Sequence, residues 1–92
     1  MNYQIELTKV AYDGIQKLKK SGDLAAIKKL NRLFDELRDH PETGTGNPEK
    51  LKYGYAGKWS RHISDKHRLI YEIHEDVVMV IVLSTFGHYK DK

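Results

Sequence analysis

Seven consecutive apolar residues, Val77-Val78-Met79-Val80-Ile81-Val82-Leu83, form the longest apolar run in the chain. That is far short of the roughly 20 residues needed to span a bilayer. The run reads instead as a strand that is apolar on both faces, the pattern of a central strand. The rest of the sequence has to supply that strand with neighbours and cover. With 92 residues, the chain is expected to form one domain, residues 1–92, around one modest core. A chain of this size buries about 60–68% of the surface its unfolded form exposes. Hydrophobic residues make up 39% and charged residues 32%, too apolar for an obligately disordered chain and too charged for a membrane protein. Lys9, Asp13 and Lys17 interrupt every candidate leader stretch, so no signal peptide is expected. Cysteine is absent. Disulfides and thiolate metal sites are therefore excluded, which fits a reducing cytoplasm.

The hydrophobic period changes along the chain. Tyr3-Gln4-Ile5-Glu6-Leu7 alternates and predicts a first strand. Thr8 is placed to cap a helix in which Ala11, Ile15 and Leu18 recur at helical spacing while Lys17, Lys19 and Lys20 face water. Ser21-Gly22 breaks that helix and Asp23 caps the next. In the second helix Leu24, Ile27, Leu30, Leu33, Phe34 and Leu37 form an apolar stripe that stops at His40-Pro41. Glu42 to Pro48 is a loop, and its Gly44-x-Gly46 follows a helix rather than a strand, so it is not a phosphate loop. Leu51-Lys52-Tyr53 predicts a short strand, and Gly54 to Gly57 a turn. Lys58–Ile63 then alternates, with Trp59, Arg61 and Ile63 on one face and Lys58, Ser60 and His62 on the other. Ser64-Asp65-Lys66 turns the chain. His67–Ile73 alternates again, Glu75-Asp76 turns once more, and the Val77–Leu83 run follows. The expected architecture is α+β: an N-terminal strand and a helical hairpin, packed on a largely antiparallel four-stranded meander.

The net charge of +3 conceals an uneven distribution. Between Lys50 and Arg68 six basic side chains stand against Asp65 alone, a local net charge of +5, with His62 and His67 in the same stretch. Such a block suits a polyanionic partner, because Lys and Arg replace the condensed counterions of phosphate chains. It also suits a solvated, charged sheet face. In a meander, Lys52, Arg61 or His62, Arg68 and the C-terminal His88-Tyr89 can converge on one concave face, with Glu49 at the edge. Metal-free RNA cleavage needs such a set. A base takes the ribose 2′-hydroxyl proton, cations stabilise the crowded phosphorus centre, and an acid protonates the leaving 5′-oxygen. An aromatic ring can hold an unstacked base. Metal-ligand spacing is absent, and Ser60 and Ser64 lack the context of a hydrolase nucleophile.

Four segments carry a resemblance: Gly46-Asn47-Pro48-Glu49-Lys50-Leu51-Lys52, Gly57-Lys58-Trp59-Ser60-Arg61-His62-Ile63, His67-Arg68-Leu69-Ile70-Tyr71 and the closing His88-Tyr89. Together they resemble the Txe/YoeB family of bacterial toxins, within the RelE-like superfamily, over nearly the whole chain. The resemblance implies a RelE-like, microbial-ribonuclease-like fold. It also implies a metal-independent endoribonuclease without cofactor, cutting messenger RNA in the ribosomal A site. The reaction would be 2′-hydroxyl attack giving a 2′,3′-cyclic phosphate and a 5′-hydroxyl. It implies a YefM-like antitoxin as partner, operator DNA met only through the antitoxin complex, and a homodimer in the bacterial cytoplasm. The family's general base matches Glu49, its phosphate-stabilising arginine Arg68, its general acid His88 and its adjacent aromatic Tyr89. Lys52 matches a lysine that adds positive charge at the scissile phosphate, and Arg61 and His62 are expected to help bind it.

Two departures stand out. His62 occupies a position where the family commonly has a second arginine, and histidine is only partly protonated near neutral pH. The chain also continues past His88-Tyr89 with Lys90-Asp91-Lys92, which removes any role for a carboxylate on the tyrosine itself. Glu49, flanked by cations, is expected to be a modest base that relies on the ribosome to orient the substrate. The competing expectations are a non-catalytic RNA-, ribosome- or antitoxin-binding module on the same fold, and a structural protein that dimerises through its helical hairpin.

Overall fold

The computed structural model describes residues 2–52, 57–77 and 79–87. Met1, Tyr53, Gly54 to Ala56 of the expected turn, Val78, His88, Tyr89 and Lys90-Asp91-Lys92 lie outside the described residues. Strand β1 (Gln4–Leu7) leads into helices α1 (Lys9–Ser21) and α2 (Leu24–Asp39), followed by strands β2 (Glu49–Lys50), β3 (Trp59–His62), β4 (Arg68–His74) and β5 (Met79–Ser84).

Local chemistry sets the helix ends as expected. The Thr8 side chain accepts the Ala11 N–H at 3.1 Å, and Gly22 closes α1 in the left-handed region with φ +75°. Asp23 caps α2 by accepting the Ala26 N–H at 3.1 Å. The helix stops at His40 because a residue before proline is driven out of helical geometry. Ala11 and Leu18 of α1, and Ala26, Leu30, Leu33 and Leu37 of α2, are buried together with Ile63, Leu69, Tyr71, Val80 and Val82 of the sheet. The apolar stripe of α2 overreaches at its first residue: Leu24 is 73% exposed. Gly14 allows α1 to lie close over the end of β5, where an added Cβ would meet Thr85 Oγ1 and sit 3.0 Å from Phe86 Cβ.

The sheet order is β1-β5-β4-β3-β2. β1 pairs with β5 in parallel, with Ile5 opposite Val80, and the remaining pairs are antiparallel. The α+β expectation of an N-terminal strand, a helical hairpin and an antiparallel meander is met. Three details differ. The apolar run places β5 between two neighbours, yet Val77 belongs to a 3-10 turn, Glu75–Val77, and is 58% exposed. Among the described residues of the run only Val80 and Val82 are fully buried, because the helices cover one face of the sheet and leave Met79, Ile81 and Leu83 partly exposed. The short second strand forms at Glu49–Lys50, and Leu51 and Lys52, where the sequence predicts it, lie beyond it; Tyr53 is outside the described residues. The register of β2 is set by β3, with Glu49 opposite Ser60 and Lys50 opposite Trp59. Leu51 adds one more backbone bond, donating to Lys58 O at 2.9 Å.

Candidate active site

The alternation of β3 and β4 sorts their side chains onto two faces. Trp59, Arg61, Ile63, Leu69 and Tyr71 meet the helices. Ser60, His62, Arg68 and Ile70 lie on the opposite face, open in the sense that the helices pack on the other side; Ser60 and Ile70 are buried there, and His62 and Arg68 half-buried. Across that face Glu49, Ser60 and Ile70 stand in one cross-strand row, and His62 and Arg68 form the next. β2 and β4 are two strand spacings apart, roughly 10 Å, so a glutamate and an arginine with flexible side chains flank a shared space over β3. Glu49 is exposed, while Arg68 and His62 are half-buried.

Arg68 is oriented from two directions. Its Nη1 donates to Ser60 Oγ at 3.4 Å, and Ser60 is fully buried. Its backbone N–H donates to Gly87 O at 3.0 Å. The N–H of Gly87 in turn donates to His67 Nδ1 at 2.8 Å, and the His67 ring lies 4.2 Å from that of Phe86. The chain leaving β5 is thereby held against the start of β4 as far as Gly87, the residue before His88. His88 and Tyr89 themselves lie outside the described residues.

His62 is held below the usual histidine value. Burial is the main cause, and the charges of Arg68 and Lys29 add to it, while Glu49 and Asp65 oppose. These five side chains therefore form one electrostatic neighbourhood, and His62 is predominantly neutral at pH 7. Lys52 is exposed two residues beyond β2. Lys50 turns to the other side, with its Nζ 5.9 Å from the Trp59 ring centre.

Arg61 corrects a sequence expectation. It is completely buried on the helix-covered face, so it does not stand among the phosphate-binding cations. Its five N–H groups are spent on the protein: Nε donates to Tyr71 Oη at 3.1 Å, Nη1 to Glu36 Oε1 at 2.7 Å and Thr45 O at 3.3 Å, and Nη2 to His40 O at 2.9 Å and Thr43 O at 2.8 Å. The alternation had already grouped Arg61 with Trp59 and Ile63. The basic block around it drew the opposite reading.

Two supports were missed in the sequence. Ser60 was discounted as a nucleophile, yet its parity with His62 was enough to put it under Arg68. His67 was read only as part of the basic stretch, and its bond to Gly87 joins residues twenty apart in sequence, with no local signal. Among the described residues no three His, Asp or Glu side chains gather as a metal site requires. No helix among them is long and apolar enough to cross a membrane.

The model of the YoeB-like toxin of bacterial type II toxin–antitoxin systems matches residues 7–89. The chain belongs to the YoeB toxin family. It is similar to Toxin YoeB of Escherichia coli (strain K12), 40% identical over 58 residues, or 63% of this chain and 69% of the relative. Its fold is similar to that of a YoeB/ParE toxin from Agrobacterium tumefaciens at TM-score 0.85 and 29% identity, covering 94% of this chain and 99% of that one. A YoeB dimer and a heterotetrameric YoeB–YefM complex, both from Staphylococcus aureus, match with TM-scores of 0.80 and 0.77. Each is 29% identical and covers 97% of this chain and 100% of its own. The YoeB-family assignment makes the chain the toxin of a type II toxin–antitoxin pair. It also agrees with the expected RelE-like α+β fold.

Proposed function

We propose that this YoeB-family toxin is a ribosome-dependent endoribonuclease that inhibits translation by cutting messenger RNA in the A site. Glu49 takes the proton from a ribose 2′-hydroxyl, and the 2′-oxygen attacks the adjacent phosphorus. Arg68 and Lys52 stabilise the negative charge that accumulates there, with His62 beside them. The bond to the 5′-oxygen breaks, and His88 donates the proton that oxygen needs. The products are a 2′,3′-cyclic phosphate and a 5′-hydroxyl, and every proton is moved by a side chain of this chain. Tyr89 stacks on a base. The observation that carries this reading is the open face itself: Glu49 and Arg68 flank β3 on one side of the sheet, and the segment leading to His88 is docked beside Arg68.

A YefM-like antitoxin restrains the toxin, and operator DNA is met only through that complex. The YoeB–YefM complex solved from Staphylococcus aureus supports the antitoxin partner, and the YoeB dimer from the same organism supports a homodimer. We place the protein in the bacterial cytoplasm, where ribosome and message are found. The reading is tested by mapping 5′ ends on translated messages after a pulse of expression. Cuts clustered in the A-site codon are expected. Glu49→Ala and His88→Ala should each abolish those cuts while ribosome binding persists. No cleavage by the unmodified chain, with binding intact, would leave the non-catalytic binding module on the same fold.

A further inference from the structure

The loop from His40 to Pro48 has no helix or strand of its own, yet it delivers Glu49 into β2. Nearly everything that holds it converges on Arg61. The guanidinium draws in the backbone carbonyls of His40, Thr43 and Thr45 and the carboxylate of Glu36. Glu36 in turn accepts from the Thr45 N–H at 2.8 Å and the Thr45 hydroxyl at 2.7 Å. Tyr71 accepts from Arg61 and donates to Pro41 O at 2.7 Å. The next residue of β3 completes the attachment: the His62 N–H donates to Gly46 O at 2.7 Å. Gly46 and Asn47 then reverse the chain with φ of +84° and +55°.

Burying a guanidinium is unfavourable unless every donor is satisfied, and an apolar residue would pack the core equally well. What an apolar residue lacks is direction. Arg61 makes three bonds to loop carbonyls at fixed angles, so it specifies one loop conformation where packing alone would permit several.

We propose that Arg61 is a positioning residue, which clamps the 40–48 loop so that Glu49 is presented on the open face beside His62 and Arg68. This rests on the assignment of Glu49 as the base. Arg61 itself touches neither RNA nor ribosome, and it acts through backbone geometry. A misplacement of about 1 Å at a reacting group costs on the order of 100-fold in rate, so the clamp is expected to appear in kcat.

The test uses the full chain, purified from its antitoxin complex, with Arg61→Lys, Arg61→Met and Tyr71→Phe. Cleavage of ribosome-bound message and amide hydrogen exchange are measured in parallel. Arg61→Lys keeps a charge but loses the fork geometry, and is expected to lower kcat about 100-fold with KM within about twofold. Tyr71→Phe keeps the ring and is expected to lower kcat by a smaller factor. A core variant matched for melting temperature, Leu33→Ala, should retain the unmodified kcat and so separate positioning from general stability. Amides of Thr45 and His62 should exchange at least about tenfold faster in the Arg61 variants than in Leu33→Ala. Unchanged exchange at both amides overturns the clamp, whatever the enzyme does. A rise in KM at constant kcat also overturns it, because that is the signature of a direct RNA contact. Should Arg61→Met not fold, Tyr71→Phe still decides: full kcat with unchanged exchange overturns the proposal. If the unmodified chain cuts no RNA, the catalytic reading fails, while the exchange measurement still reports on the loop.

Discussion

Arg61 and Arg68 are seven positions apart, on neighbouring strands, and belong to the same basic block, yet they occupy opposite environments. Arg61 is opposite Leu69 under the helices, completely buried, with all five donors given to the protein. Arg68 is opposite His62 on the open face, half-buried, with Ser60 beneath it. A single step in strand parity separates a cation that organises the fold from one positioned to meet phosphate. The count of +5 between Lys50 and Arg68 therefore overstates the field on the open face. Arg61 is neutralised by Glu36, and Lys58 sits 3.6 Å from Glu72.

The sharpest way to break this contrast is to remove each arginine in turn. Arg68→Ala should lower single-turnover cleavage by about 100- to 1000-fold, the range for losing a donor at a developing oxyanion. Its urea midpoint should barely move. Arg61→Ala should lower cleavage as well, but it should also destabilise the fold by about 3 kcal/mol because Glu36 loses its buried partner. Equal effects of the two substitutions on both readouts would dissolve the distinction.

Gly46→Ala tests the loop without touching either arginine. A Cβ there would lie 2.9 Å from His62 O, at a φ of +84° that favours glycine. A loss of about 1–2 kcal/mol in urea unfolding is expected, together with reduced cleavage.

A smaller effect comes from pH. Burial pushes the Glu36 carboxyl up, but hydrogen bonds from Thr45 and Arg61 outweigh it, and the group titrates below its ordinary 4.5. A lowered folded value means that the unfolded chain binds the proton first. Glu36 thus contributes stability in full above pH 4.5, and that contribution is lost as pH falls through the lowered folded value. Glu36→Gln should flatten the acid limb of the stability profile in this window.

The smallest effect is expected at His62. Its folded value is also lowered, chiefly by burial, so its contribution to stability declines as pH falls below the ordinary 6.5. A phosphate over the open face stabilises the imidazolium and reverses that trend for binding. RNA affinity should rise as pH is lowered toward 6, by up to about fivefold for one partly exposed charge. His62→Arg should bind more tightly at pH 7.5 and lose the dependence.

Much of this could be read in the chain. Thr8 and Asp23 cap their helices, and the alternation of Lys58–Ile63 places Ser60 and His62 on one face and Arg61 on the other. Both signals are local, a side chain acting on a backbone three residues away or a pleat of period two. The short strand expected from Leu51 onward begins two residues earlier, because the pairing register with β3 selects Glu49–Lys50. Leu24 extended an apolar stripe by one residue that stays exposed, while Ala26 in the same turn is buried.

The sequence by itself determined the elements, their ends and the two faces of each strand, because these follow from nearest neighbours along the chain. Only the tertiary structure decided what each face meets. The partners of Arg61 come from Glu36, twenty-five residues earlier, and from loop carbonyls that carry no side-chain identity. A backbone carbonyl offers the same acceptor whatever residue bears it. Strand parity could put this arginine on the apolar face, but no pattern of residue types could announce which acceptors would enclose it there.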